Sequence, residues 1–364
     1  MTESVLAFGP ASIANVGPFY DVMGYCLNYL GDFVEAKKTS EHRAVRLTAI
    51  KGPYAKELEA QSVKLSENCV QIVAEYIWDD FNKNFDYGVD LVLFKYMPTR
   101  SGLGSSAASA VATTKAILTL IGQESSLDRQ TINNYIMSGE QKVSGHYYPD
   151  NIVPSYWGGF SIISPYWQEK VPTPDFATLV ILPADTVKTN GIDDCVVRRQ
   201  LHTGAQRKKV DEHFRKLITD EGAPGRKIEK IMEYIRFQSS NAARLIHAIY
   251  QQDIEKIGHV ISETNGSFLY DSRDSETSRA SIWAIAEKMG ALGCSVSGSG
   301  PAIFLITSSI NAAEKIRNSL LGSAGFTNAY WIISGINENG ATLCRSLDAA
   351  VKEGSNHHNF WMTE

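Results

Sequence analysis

Three things that this chain has little of narrow its class before any motif is read. Its five cysteines, Cys26, Cys69, Cys195, Cys294 and Cys344, are scattered, odd in number and show no Cys-x-x-Cys pair. That pattern argues against a disulfide framework and against a zinc site, and a reducing cytoplasm is the expected home. No apolar run is long enough to span a bilayer, and the amino terminus has no basic flank leading into an apolar core, so neither membrane insertion nor export is expected. Charge of neither sign dominates: 35 Lys and Arg against 40 Asp and Glu leave a formal net charge of −5. That is too little to mark a nucleic-acid surface or an acidic disordered tail. Internal repeats and low-complexity tracts are absent too, and the closing polar stretch with His357 and His358 reads as a tail rather than a metal site. What remains is a globular protein whose 364 residues allow two domains of ordinary size, and whose partner is a small molecule in a pocket. Whether it works as a monomer or a homodimer is left open by the sequence.

The most specific stretch runs from Pro98 through Thr99, Arg100, Ser101, Gly102, Leu103, Gly104, Ser105, Ser106, Ala107 and Ala108 to Ser109. Before it, Val89 to Tyr96 is β-branched and apolar enough for a strand; after it, Ala107 to Leu120 is Ala-rich, Pro-free and apolar at helical spacing. Where a strand hands over to a helix, the first helical N–H groups lack intrahelical partners and the macrodipole is positive, so an anion fits there. Gly102 and Gly104 permit left-handed backbone and close approach of a ligand oxygen. Ser105 and Ser106 can cap the helix or face a phosphate-bound cation. No Gly-Lys-Ser/Thr follows, so this is not a Walker A loop.

The remaining pattern predicts a strand at 4–14 broken by Gly9-Pro10 and further strand material at 32–49. A helix is expected over 56–80, and another over 127–143 that starts at Ser125-Ser126, carries Glu140 and closes near Gly145. Asp150-Asn151 reads as a turn before a strand, 165–174 as turn-rich, and 179–183 as a strand. Helices follow at 228–251, 254–264 and 278–289. Then come two strands joined by Gly298-Ser299-Gly300-Pro301, a helix at 312–321 and a strand at 329–333. The polar stretch 186–225 is expected to be an insertion.

The loop at Pro98–Ala108 resembles the second motif of the GHMP kinases, the superfamily of galactokinase, homoserine kinase, mevalonate kinase and phosphomevalonate kinase. Within it, Phe8-x-Pro10-Ala11-Ser12-Ile13-Ala14-Asn15-x-Gly17-Pro18-x-x-Asp21-Val22-x-Gly24 and Asp150-Asn151-x-x-Pro154 with Gly158-Gly159 are similar to the homoserine-kinase branch. Ser295-Val296-Ser297-Gly298-Ser299-Gly300-Pro301 resembles the third motif. The resemblance implies an α+β, two-domain fold: residues 1–175 as an ATP-binding domain like ribosomal protein S5 domain 2, with a left-handed βαβ unit, and 176–350 as a ferredoxin-like sandwich, with a tail at 351–364.

It also implies an ATP- and Mg²⁺-dependent kinase that phosphorylates L-homoserine on the way to threonine. Pro98, Ser101, Gly102, Leu103, Gly104, Ser105, Ser106, Ala107 and Ala108 would bind the nucleotide, and Ser106 with Glu140 the metal. Asn15, Asp21, Tyr148, Asp150 and Arg273 would lie on the substrate side. Asn151, Asp21 and Glu140 would serve catalysis, without a dedicated aspartate base. Three positions depart from the branch: Phe19-Tyr20 where Gly-Phe is usual, Tyr148 where a histidine is usual (the nearest here is His146), and Asp193 where an arginine follows Thr189. Arg198 or Arg199 could stand in for that arginine. Arg273 grips a substrate carboxylate or is a surface residue beside Asp271 and Asp274. Alternatives are a related kinase for threonine, pantoate or mevalonate, and a catalytically silent nucleotide-binding regulator.

Overall fold

In a computed structural model, residues 3–146, 148–182, 224–265, 279–321 and 329–355 are described. Strand β1 (Ser4–Ala14) and strand β2 (Met23–Thr39) form a long antiparallel pair. Gly9-Pro10 does not break β1 as expected; the register slips between Pro10 and Ser12 instead. A proline has no N–H for the ladder, and a local irregularity absorbs that without ending the strand.

Strand β3 (Val45–Lys51) lies parallel to β4 (Gly88–Phe94). The single helix expected between them is two, α1 (Ala55–Ala60) and α2 (Cys69–Phe81), separated by a 3₁₀ turn at Leu65–Glu67. The cause is local. Ser62 has a left-handed φ of 54°, 61–67 is mostly polar, and Asn68 starts α2 by accepting from the Val70 N–H at 3.0 Å.

Helix α3 (Ser105–Leu120) follows the glycine loop, and α4 (Arg129–Ser144) ends on Gly145 in a left-handed cap, φ 78°. Its start is Asp128, which accepts from the Thr131 N–H at 2.7 Å, and not Ser125-Ser126. The turn expected at Asp150-Asn151 is helix α5 (Pro149–Trp157), with Pro149 in the first turn where a missing N–H costs nothing. Strand β5 (Phe160–Ile163) is followed by β6 (Gln168–Val171), which lies inside the 165–174 stretch expected to be turn-rich, and the two form a hairpin.

The second sheet is built from β7 (Ala177–Leu182), β8 (Gly293–Val296), β9 (Ile303–Thr307) and β10 (Tyr330–Ser334), all antiparallel in the order β10-β7-β9-β8. Numbered within this sheet the order is 4-1-3-2, the ferredoxin-like arrangement that was expected. Helices α6 (Pro224–Tyr250), α7 (Ile254–Asn265), α8 (Arg279–Ala286) and α9 (Ile310–Leu321) flank it. The chain then returns. Strand β11 (Thr342–Cys344) pairs with β1, and α10 (Leu347–Ser355) follows. Residues 342–344 thus sit on the first sheet rather than the second, and α10 runs through the expected start of the tail. Among the described residues the first sheet reads β11-β1-β2-β4-β3, with β5 on β2 and β6 beyond it.

Alternation along β7 and β9 explains how two layers of helix are held. Val180, Leu182, Phe304 and Ile306 face one core, with Leu245, Ile249, Ile257 and Ile261 of α6 and α7. Leu179, Ile181, Ile303 and Leu305 face the other, with Ile282 of α8 and Ile316 of α9. The first of these cores also takes in Ile13, Tyr25 and Leu27 from the first sheet and Met97, Leu103 and Ala108 around the glycine loop. The loop is therefore backed by the apolar seam between the two sheets, and burial there fixes its position.

Candidate active site

Gly102 and Gly104 have left-handed φ angles of 82° and 67°. Gly104 is itself the N-cap of α3 and no side chain caps that helix, so the expectation of a serine cap is corrected: the serines are left for other work. The Ser101 and Ser105 hydroxyls are buried with no hydrogen-bond partner among the described residues. A Cβ on Gly104 would lie 2.3 Å from Ser12 Oγ and 2.7 Å from Asn151 Oδ1, and one on Gly102 would lie 2.6 Å from the Ser297 carbonyl. Only glycine fits either place.

Those contacts bring three distant segments together. Ser12 N–H donates to the Leu103 carbonyl at 3.1 Å and Ala302 N–H to the Ser101 carbonyl at 3.0 Å. Ser297 Oγ donates to the Gly102 carbonyl at 2.7 Å and accepts from the Ala14 N–H at 3.3 Å. On the outer side, buried Glu57 of α1 accepts from the Thr99 N–H and hydroxyl, both at 2.8 Å. Pro98, Ser101, Leu103, Ser105, Ala107 and Ala108 are buried, while Gly102, Gly104 and Ser106 are half-buried.

Beside the loop lies Glu140, 3% exposed near the end of α4. Burial raises its carboxyl above the ordinary value; the Ser106 hydroxyl, hydrogen-bonded to it, and the charge of Lys95 act the other way. Two oxygen donors beside an uncapped helix N-terminus are of the kind that suits Mg²⁺, which takes one or two protein oxygens and completes its shell with phosphates and water. Among the described residues there is no group of three or more His, Cys, Asp or Glu that could hold a metal ion. Lys95 and Asp32 were not singled out from sequence. They form a buried ion pair under the loop, and a lysine at a strand end carries no signal until its partner on β2 is known.

The residues expected on the substrate side are assembled differently. Asn15 N–H donates to Asp150 Oδ2 at 2.7 Å, and Asn15 Oδ1 accepts from the Asp21 N–H at 2.9 Å. Asn151 Oδ1 accepts from Ser12 Oγ at 3.0 Å, so Asn151 touches the glycine loop while its neighbour faces Asn15. Asp150 is fully buried; that burial, with the charge of Asp21, pushes its carboxyl up to about 7, against the Asn15 hydrogen bond. Burial also raises the carboxyl of Asp21, and nearby His146 lowers it. Tyr148 is the N-cap of α5, its ring 6.5 Å from that of His146. Arg273, Thr189, Asp193, Arg198 and Arg199 lie outside the described residues. A cavity of about 700 Å³ lined by Lys115, Glu124, Arg129 and Trp157 opens at the far end of α3 and carries none of the expected residues.

Comparison with known proteins bears on these same loops. Residues 68–159 match the GHMP kinases N terminal domain and residues 245–325 the GHMP kinases C terminal family. The chain is 28% identical over 336 residues to a homoserine kinase of Pyrococcus furiosus, covering 89% of this chain and 96% of that one. It is 28% identical over 330 residues to that of Chlorobaculum tepidum, covering 87% and 90%. The crystal structure of homoserine kinase from Cytophaga hutchinsonii superimposes with a TM-score of 0.70 at 26% identity, over 94% of this chain and 98% of the other. The first family spans the glycine loop, Glu140 and Asn151, and the second spans Ser297–Pro301, so two of the three segments that hydrogen bonds join here fall within the matched ranges, with Ser12–Asn15 preceding them: the chain belongs to the GHMP kinase family.

Proposed function

We propose that the protein is a homoserine kinase, transferring the γ-phosphoryl group of ATP to the side-chain hydroxyl of L-homoserine. The observation that carries this is the uncapped start of α3, enclosed by the Ser12–Asn15 and Ser297–Ala302 segments, with Glu140 and Ser106 on one side and Asn15, Asp21 and Asp150 on the other.

Phosphoryl transfer asks a protein mainly for positioning and charge stabilisation. Main-chain N–H groups of 102–106 hold the phosphates against the helix end. Ser106 and Glu140 would hold Mg²⁺, which would supply neutralisation of charge on the transferring group. Asn151, set against Gly104, orients that group, and the Asp21 carboxylate accepts a hydrogen bond from the acceptor hydroxyl and aims its oxygen at phosphorus. As the new O–P bond forms, the bond to the ADP oxygen breaks, and the hydroxyl proton leaves late to a phosphate oxygen, so no strong base is needed. Burial of Asp150 beside Asn15 keeps the acceptor end dry. Among the described residues no helix is long and apolar enough to cross a membrane, and the reaction is assigned to the cytoplasm.

ADP release measured over a panel of alcohols tests the reading. Homoserine should be turned over with the highest kcat/KM; preference for threonine, pantoate or mevalonate overturns the substrate, and no turnover at all leaves a nucleotide-binding regulator. Arg273→Ala then tests how the carboxylate is held. It should raise the KM for homoserine about tenfold, ~1.4 kcal/mol, with the KM for ATP unmoved; an unchanged homoserine KM shifts that role to Arg198 or Arg199.

A further inference from the structure

We infer that Lys95 and Asp32 are positioning residues for the nucleotide: as a buried pair they fix the two ends of the 98–104 loop relative to each other. The inference rests on the kinase reading above and adds to it two residues that neither the motifs nor the chemistry of the transfer called for.

Asp32, on β2, sends its two oxygens to different ends of the loop. Its Oδ1 accepts from the N–H groups of Tyr96 and Met97, at 2.8 and 3.0 Å, where the chain leaves β4. Its Oδ2 pairs with Lys95 Nζ and accepts from the Ser109 hydroxyl at 2.7 Å, in the first turns of α3. Lys95 completes the link. Its Nζ donates to the Ser105 carbonyl at 3.0 Å and to Ser109 Oγ at 3.1 Å. With Asp32 these use all three ammonium donors. Asp32, Lys95 and Ser109 are 0%, 2% and 1% exposed, so the exit of the strand and the entry of the helix are tied through one dry network. The loop between them has no freedom to widen or slide.

Stability alone does not account for this arrangement. A buried ion pair contributes little net stability compared with apolar side chains of the same volume, because desolvating both charges offsets their attraction. Moreover, Lys95 sits against the start of α3, the end at which the helix dipole repels a cation. A lysine is unfavourable there for the empty fold and favourable for a bound polyphosphate, whose negative charge lies on the other face of the same turn. The pair therefore has the marks of a device for geometry and potential at the anion site.

The test is ADP binding by calorimetry, without metal, in the double variant Lys95→Met/Asp32→Asn, which removes both charges and leaves neither stranded. The variant should unfold as cooperatively as the parent measured beside it, yet bind ADP about tenfold more weakly or worse, with the KM for homoserine within about twofold of the parent's. A folded double variant with ADP affinity within about twofold of the parent's overturns the inference, and so does an equal rise in both KM values, which is general loosening. If the double variant does not fold, Ser109→Ala decides: it keeps both charges and loses the bridging hydroxyl. ADP affinity should then fall about threefold, and unchanged affinity overturns the inference. Failure of the parent protein itself to bind ADP is a different result and removes the kinase reading beneath it.

Discussion

Around Gly104 the backbone is tied to neighbouring segments by main-chain bonds, from Ser12 to Leu103 and from Ala302 to Ser101, and the left-handed turns at 102 and 104 are taken by glycine. Around Asp21, four of the seven residues 15–21 are left-handed and three of them are not glycine: beside Gly17 at 83°, Asn15, Phe19 and Asp21 have φ of 57°, 63° and 59°. There the ties run through side chains, Asn15 to Asp21 and Asp150, and Gln238 to the Phe19 N–H at 3.1 Å. On the proposed reading the nucleotide side serves a phosphate group, for which main-chain donors suffice. On the same reading the acceptor side must match one alcohol, which side chains in a strained and charged loop can do.

If the nucleotide side works through fixed charge, its carboxylate should matter most. Glu140→Ala is expected to lower kcat on the order of 10⁴-fold, ~5.5 kcal/mol of transition-state stabilisation, because Ser106 alone cannot hold the cation. Turnover close to the parent's at ordinary Mg²⁺ would remove Glu140 from that role.

On the acceptor side the sharpest handle is the Asp150 carboxyl. Its folded-state value of about 7 stands above the ordinary 3.8. Between those values the folded protein holds a proton that the unfolded chain has lost, so stability falls as pH rises through that window and is lowest above pH 7. The full effect is on the order of 4 kcal/mol. Asp150→Asn keeps an acceptor for the Asn15 N–H and has no such proton. Urea unfolding at several pH values should show the free variant matching the parent below pH 4 and exceeding it by a few kcal/mol at pH 8, while activity drops. Parallel pH profiles for the two proteins would mean that Asp150 is not desolvated.

Gly104→Val compares the sides directly, since the new side chain meets Ser12 and Asn151 at once. ADP affinity should weaken about 100-fold, ~2.7 kcal/mol, in a protein that still folds. Normal ADP affinity in a folded variant would show that the loop does not need its glycine.

The same contrast explains what the sequence made legible. Gly-Leu-Gly-Ser-Ser could be read as a phosphate loop because main-chain function leaves its mark in glycine spacing; strands and helices of the second sheet showed in their period, while their order came only with the family resemblance. Residues that act through a distant partner left no such mark. Asp32 and Lys95 are 63 positions apart, Glu57 reaches Thr99 from another helix, and the split of the 56–80 helix turned on the capping of Asn68. The helix at Pro149–Trp157 was missed because Pro, Asp and Asn favour turns as strongly as first helical turns. Strand β11 was missed for a different reason: three residues give no period, and only the partner strand β1 defines them.

The smallest effect tests whether the strain of the acceptor loop is real in solution. Phe19 stands where glycine is usual in the resembling branch, yet its φ is 63°, so the backbone has kept the glycine conformation and the side chain has been added to it. A residue with a Cβ is disfavoured there by roughly 1–2 kcal/mol, whereas glycine is not. Elsewhere alanine is the more stabilising of the two, because glycine leaves the unfolded chain more freedom. At position 19 the order should reverse. Phe19→Ala loses the ring and keeps the strain, while Phe19→Gly loses both, so the Gly variant should be the more stable by about 1 kcal/mol in denaturant unfolding. The Gln238 bond is to the main chain and survives in both. Equal stability, or the usual advantage of alanine, would show that the loop relaxes out of the left-handed region when the ring is gone, and that the ring itself holds the acceptor loop in place.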